Sequence, residues 1–146
     1  MDGEPESDAE LEEDEHDFVY AKMVKDKANR LMGDGKITAA ITRYYEALDL
    51  CPPHEKEWMS RIHNNLGIAL KKLKKPDEAI QEFSKAIDLN PTYEKPLVQR
   101  MTLYKEAKKF HLAQADGKRI AKINPDFGKP QEDLFTRFAK RFDEGR

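Results

Sequence analysis

Apolar and small residues recur along this chain at intervals of three and four. Ala40, Tyr44 and Ala47 form one such set, and Ala79, Phe83 and Ala86 form another with identical spacing. Residues four and seven apart fall on one face of an α-helix, so each set predicts a helix with a small-aromatic-small stripe. A second helix is predicted upstream of each. Its stripe is Val24, Ala28 and Leu31 in the first case, and Ile62, Leu66, Ala69, Leu70 and Leu73 in the second. Gly33-Asp34-Gly35 separates the first pair of helices, since glycine reaches the positive φ values of tight turns. Pro52 and Pro91 follow the second helices at the same distance and end them. The pattern predicts an all-helical chain built from helical hairpins.

The hairpins repeat. Ala40 to Pro52 and Ala79 to Pro91 align residue for residue, and Ala113 to Pro125 keeps the same separation. The third copy is worn: Gly117 stands where the others have an aromatic, and Ile120 where they have the second alanine. A hairpin of this size cannot bury its apolar face alone and must stack on its neighbours. Leu66, Gly67, Leu70, Ala79, Phe83, Ala86 and Pro91 resemble the tetratricopeptide repeat family, whose unit is two helices. The resemblance implies a right-handed superhelical stack of three hairpins, at about 21–54, 60–93 and 94–127, within a domain spanning 18–128. Glu55 to Met59 carry no helix breaker and extend the helix that follows, so that Trp58, Met59, Ile62 and Leu66 continue one stripe. Residues 129–146 are predicted to form a capping helix. Pro130 suits a first turn, and Leu134, Phe135, Phe138 and Phe142 supply an apolar stripe for the open end of the stack.

Charge changes the picture at the N-terminus. Residues 1–17 hold ten acidic side chains and no lysine or arginine, which predicts a disordered, solvated tail. The remainder carries 18 acidic and 26 basic side chains, a net of +8, and so favours an acidic ligand. No apolar run reaches the roughly eighteen residues that span a bilayer. The acidic start lacks the features of a signal peptide. Cys51 is the only cysteine, which points to a reducing compartment and a cytoplasmic protein. The sequence sets no oligomeric state.

Catalytic chemistry is not visible. His16, His54, His63 and His111 lack zinc-ligand spacing, no glycine-rich phosphate loop exists, and no cofactor is implied. Cys51 falls at a helix C-terminus, where a thiolate is disfavoured. The lysine clusters 71–75 and 105–109 have no interleaved aromatics to stack on bases and read as solvated helix ends, so neither nucleic acid nor a membrane is the expected partner.

A subset of the tetratricopeptide repeat family carries a carboxylate clamp on the first helices of its repeats and binds the acidic C-terminal tails of the chaperones Hsp70 and Hsp90. Resemblance to that subset implies a set of site residues here. The first repeat supplies Lys25 and Asn29, four residues apart on one helical face. The second supplies Asn65, and the third supplies Lys95. Where the subset has an arginine, this chain has Gln99, with Arg100 turned about 100° away around the helix. Ammonium groups give charge-assisted hydrogen bonds to carboxylates, and the asparagines give oriented amide donors. Gln99 keeps a donor but loses the charge and the fork of arginine, which predicts a weakened or shifted clamp. The resemblance thus implies an adaptor or co-chaperone rather than an enzyme. The competing reading is a scaffold that binds another protein segment, acidic or not, independently of the clamp and through either the groove or the convex face.

Overall fold

The computed structural model describes residues 8–129, 137 and 139–141, and the described residues contain helices and no strands. Six helices run in order: α1 (Asp8–Gly33), α2 (Ile37–Leu50), α3 (Lys56–Lys72), α4 (Pro76–Leu89), α5 (Glu94–Glu106) and α6 (Phe110–Ile123). They pair as three hairpins, α1 with α2, α3 with α4 and α5 with α6, and each hairpin also packs on the next. The insert before the second repeat extends α3 at its N-terminal end, as the lack of a breaker predicts.

The same turn closes every hairpin. Gly35 has φ +77, and the equivalent positions in the later hairpins are Lys74 (φ 61) and Lys108 (φ 58). In each case the next N–H reaches back five residues to a helix carbonyl: Lys36 to Leu31 at 2.9 Å, Lys75 to Leu70 at 3.0 Å, and Lys109 to Tyr104 at 2.8 Å. This is the left-handed closure that satisfies the last carbonyls of a helix. Glycine adopts it without strain, whereas a lysine there costs about 1 kcal/mol.

The core is a chain of three clusters, and each draws on three successive helices. Ala28, Ala40, Tyr44, Ile62 and Leu66 join α1, α2 and α3, with Trp58 and Leu31 packed at the edge. Leu70, Ala79, Phe83 and Leu103 join α3, α4 and α5. Ile87, Leu97, Met101, Ala113 and Ile120 join α4, α5 and α6. No hairpin owns its core, which is the condition for a stack held by nearest-neighbour contacts.

Within the hairpins, one contact pairs a small residue on the first helix with a large one on the second. A Cβ on Gly67 would lie 2.4 Å from Phe83 Cε1, so glycine alone leaves room for that ring. Ala28 and Tyr44 occupy the equivalent places in the first hairpin, both almost fully buried. In the third hairpin the sizes are exchanged. Met101 stands in the place of Gly67 and Gly117 in the place of Phe83, and Met101 Sδ would lie 3.5 Å from a Cβ on Gly117. The exchange leaves an open hollow of about 440 Å³ beside Met101, Ala113, Gly117 and Ala121. A largely buried ion pair adds to the apolar packing of the third hairpin. Arg100 donates from Nε to Asp116 Oδ2 at 2.9 Å and from Nη2 to Oδ1 at 2.6 Å, and its Nη1 reaches Ser84 Oγ at 3.0 Å. This fork ties α5 to both α6 and α4.

Of the acidic stretch 1–17, for which charge predicts a disordered tail, residues 8–17 form the opening turns of α1 and residues 1–7 lie outside the described residues. Negative side chains are favoured at the start of a helix. The stretch is also anchored: the Phe18 ring meets Trp58 edge-on at 5.5 Å, and Lys22 Nζ lies 4.0 Å over Phe18. Asp14, Glu15 and Phe18 line a small hollow with Pro52, His54 and Glu55. The predicted capping helix lies mostly outside the described residues, of which Arg137, Ala139, Lys140 and Arg141 are helical.

Overpacking a filled core costs about 1–3 kcal/mol. Gly67→Ala is therefore expected to lower stability by about 2 kcal/mol in urea unfolding, and Phe83→Leu in the same chain is expected to recover part of the loss. Gly117→Ala, whose added methyl would make an ordinary van der Waals contact with Met101 Sδ, is expected to be neutral or stabilising.

Candidate peptide-binding groove

The first helices of the three hairpins carry every residue implied by the clamp resemblance. Lys25 sits half-buried on α1, with its Nζ 3.4 Å from Asp26 Oδ1. Asn29 lies one turn further along, where its Oδ1 accepts the Tyr44 hydroxyl hydrogen bond. The aromatic of the repeat thereby fixes a polar side chain of the neighbouring helix. Asn65 is half-buried on α3, while Lys95 is exposed and Gln99 half-buried on α5.

Two hollows lie between α3 and α5. The larger, about 650 Å³, is lined by Asn64, Ile68, Tyr93, Glu94, Lys95, Val98, Gln99 and Phe127. The other, about 570 Å³, is lined by Ile68, Lys71, Lys72, Lys74, Pro76, Gln99, Leu103 and Glu106. Ile68 and Gln99 border both. The structure thus brings Lys95 and Gln99 to one hollow, whereas Lys25, Asn29 and Asn65 lie outside its lining. Arg100, adjacent to Gln99, is committed to Asp116 and does not serve the groove.

Asn64 was not legible as a site residue. It is 3% exposed; its Nδ2 lies 3.4 Å from the Tyr93 hydroxyl, and its Oδ1 has no hydrogen-bond partner among the described residues. A buried acceptor left unpaired costs about 1–3 kcal/mol. The signal in the sequence is Ser60, Asn64 and Ile68 at four-residue spacing, a second ridge of α3 beside the Ile62-Leu66 stripe. Ser60 is also buried and donates to the Ala86 carbonyl at 2.8 Å.

A second polar cluster ties α2, α3 and α4 together around Glu82, which is buried. Glu82 Oε2 meets His63 Nδ1 at 2.6 Å, and its Oε1 accepts from the Tyr45 hydroxyl at 3.1 Å and from Lys85 Nζ at 3.2 Å. Burial raises the carboxyl, but the hydrogen bonds from His63 and Lys85 outweigh it and hold Glu82 below the ordinary range. Burial and the neighbouring Glu82 push Tyr45 up to about 12. Cys51 is buried with its thiol directed at the Pro52 carbonyl, and burial together with Glu55 pushes it up to about 11, which suits a structural cysteine. Among the described residues, no group of His, Cys, Asp or Glu could hold a metal ion, and no helix is long and apolar enough to cross a membrane.

Residues 60–93, the α3–α4 hairpin with its flanks, match the tetratricopeptide repeat family model. The chain has a tetratricopeptide repeat fold. The second such domain of Spaghetti (RPAP3), bound to the HSP90 peptide SRMEEVD, superposes with a TM-score of 0.62 at 24% identity, covering 71% of this chain and 92% of that one. The Arabidopsis OM64 domain superposes with a TM-score of 0.65 at 19% identity, covering 86% and 95%. Among curated proteins, the mitochondrial import receptor subunit TOM70 of Rattus norvegicus is 38% identical over 80 residues, 55% of this chain and 13% of that protein. The matched stretch is a small part of this much longer relative.

Because the folded-state value of Glu82 lies below its unfolded one, the cluster stabilises the fold above the usual carboxylate range, and that stability is lost as pH falls through the folded value. Glu82→Gln is expected to lower stability at pH 7 and to flatten its decline below about pH 4.5, the ordinary value for this carboxyl. Chemical denaturation across pH 3–7 measures both.

Proposed function

We propose that this chain is a protein-interaction module, an adaptor or co-chaperone, that grips the acidic C-terminal tail of Hsp70 or Hsp90. The observation that carries this reading is the register of Lys25, Asn29, Asn65 and Lys95 on the first helices of three successive hairpins. Lysines in such a row match the carboxylates of a chain ending in aspartate, which presents two on its last residue. An apolar wall of Ile68 and Val98 gives the larger hollow room for a non-polar side chain between the charged ones. The bound peptide of the Spaghetti domain, on the same fold, is in keeping with this reading. The acidic start, the Leu50-Cys51-Pro52 end of the first repeat and the five-residue insert also resemble tetratricopeptide repeat protein 1. A cytoplasmic setting suits such partners.

A second reading, a scaffold for another protein segment independent of the clamp, draws on a different surface. Val19, Tyr20 and Met23 are 57%, 53% and 60% exposed on α1. Retention of cellular partners by the Lys25→Ala, Lys95→Ala double variant would favour that reading.

A labelled peptide ending in Glu-Glu-Val-Asp is expected to bind the chain saturably, and its C-terminal amide at least about tenfold more weakly, a loss typical of one charge-assisted contact. Lys95→Ala is expected to produce a similar loss. Equal affinity for acid and amide would overturn the proposal.

A further inference from the structure

The missing charge at position 99 has a neighbour on another helix. Gln99 Oε1 accepts a hydrogen bond from Lys71 Nζ at 3.2 Å, across 28 residues of sequence and from α3 to α5. Lys71 is half-buried, and with Lys72 and Lys74 it lines the hollow that adjoins the one lined by Lys95. Glu106 is the one acidic residue in the lining of the lysine-rich hollow, so that lining keeps a net positive charge. We propose that Lys71, positioned by Gln99, supplies the cationic contact to a ligand carboxylate that an arginine at position 99 would otherwise make. The inference rests on the peptide-binding reading above and adds its own residue to it.

Three features carry it. An ammonium has three N–H donors, and the bond to Gln99 uses one, leaving two for a carboxylate. Gln99 is uncharged, so it fixes the lysine without cancelling its charge, as a glutamate there would. Ile68 and Gln99 border both hollows, so an extended peptide that places its terminal carboxylates at Lys95 meets Lys71 a few residues upstream, at roughly 3.3 Å per residue. The ligand class is therefore an acidic peptide with both a free C-terminus and an acidic side chain shortly before it. Lysine is a compact point charge and lacks the bidentate fork of arginine, so this contact selects for charge more than for geometry.

The test uses the full chain and fluorescence anisotropy with peptide SRMEEVD and a variant with both glutamates replaced by glutamine. Lys71→Met keeps the aliphatic stem and removes the charge. It is expected to weaken binding of SRMEEVD about tenfold and to leave the glutamine peptide nearly unchanged. Gln99→Arg added to Lys71→Met is expected to restore most of the affinity, a rescue that a merely structural role of Lys71 would not produce. Gln99→Leu, which removes the acceptor and leaves Lys71 charged, is expected to weaken binding severalfold, and circular dichroism checks that each variant is folded. If Lys95→Ala abolishes binding while Lys71→Met binds like wild type, the role of Lys71 is overturned and the groove reading stands. If wild type shows no carboxylate-dependent binding, both fall.

Discussion

The close approach of two helices at a single small residue governs this structure. Gly67 lets α3 and α4 come together over the Phe83 ring, and Ala28 with Tyr44 makes the same arrangement between α1 and α2. The third hairpin reaches comparable packing with the sizes exchanged between its helices. Interiors pack at nearly crystalline density, so a ring lost from one helix must be answered by volume on the other. Met101 answers the loss of the aromatic at Gly117 only in part, and the residual hollow lies where the missing ring would have stood. The Arg100–Asp116 fork adds charge and geometry to this hairpin, as the His63–Glu82 pair does to the second.

Hairpin packing also decides what the groove presents. Each first helix turns its small or apolar residues toward its own partner helix, which leaves the intervening positions for the groove. The aromatic of the first hairpin goes further, since the Tyr44 hydroxyl holds Asn29. The core is thus linked through one side chain to a residue of the candidate clamp. Positioning a polar donor on a rigid helix lowers the entropy lost when it engages a ligand. On α3, Ser60 bonds to α4, whereas Asn64 and Ile68 border the hollow shared with α5.

Charge is segregated along the molecule. The acidic residues that open α1 lie at the positive end of a helix dipole, and the lysines that close α3 lie at the negative end of another. Both placements are locally favourable, so the polarity of the surface follows in part from helix direction. Lys71 and Lys72 in the last turn of α3, with Lys74 in the turn that follows, also line the hollow beside Gln99.

Helix number, the hairpin repeat and the clamp-like register could all be read from residue spacing, because a helix converts sequence interval directly into facial position. The spacing of Ala79, Phe83 and Ala86 needs no knowledge of the rest of the chain. Three things needed the tertiary structure. Residues 8–17 are helical, and the helix that they open is anchored where Phe18 meets Trp58, forty residues away, against a composition that argues for disorder. Asn64 becomes a buried, unpaired acceptor only because α5 and Tyr93 cover it. Lys71 reaches Gln99 only across two helices that stack. Sequence alone determined the pieces and the faces they expose, since those depend on local periodicity. The stacking of hairpins decided which faces meet, and hence where charge and unpaired hydrogen bonds gather, because those are properties of contacts between residues far apart in the chain.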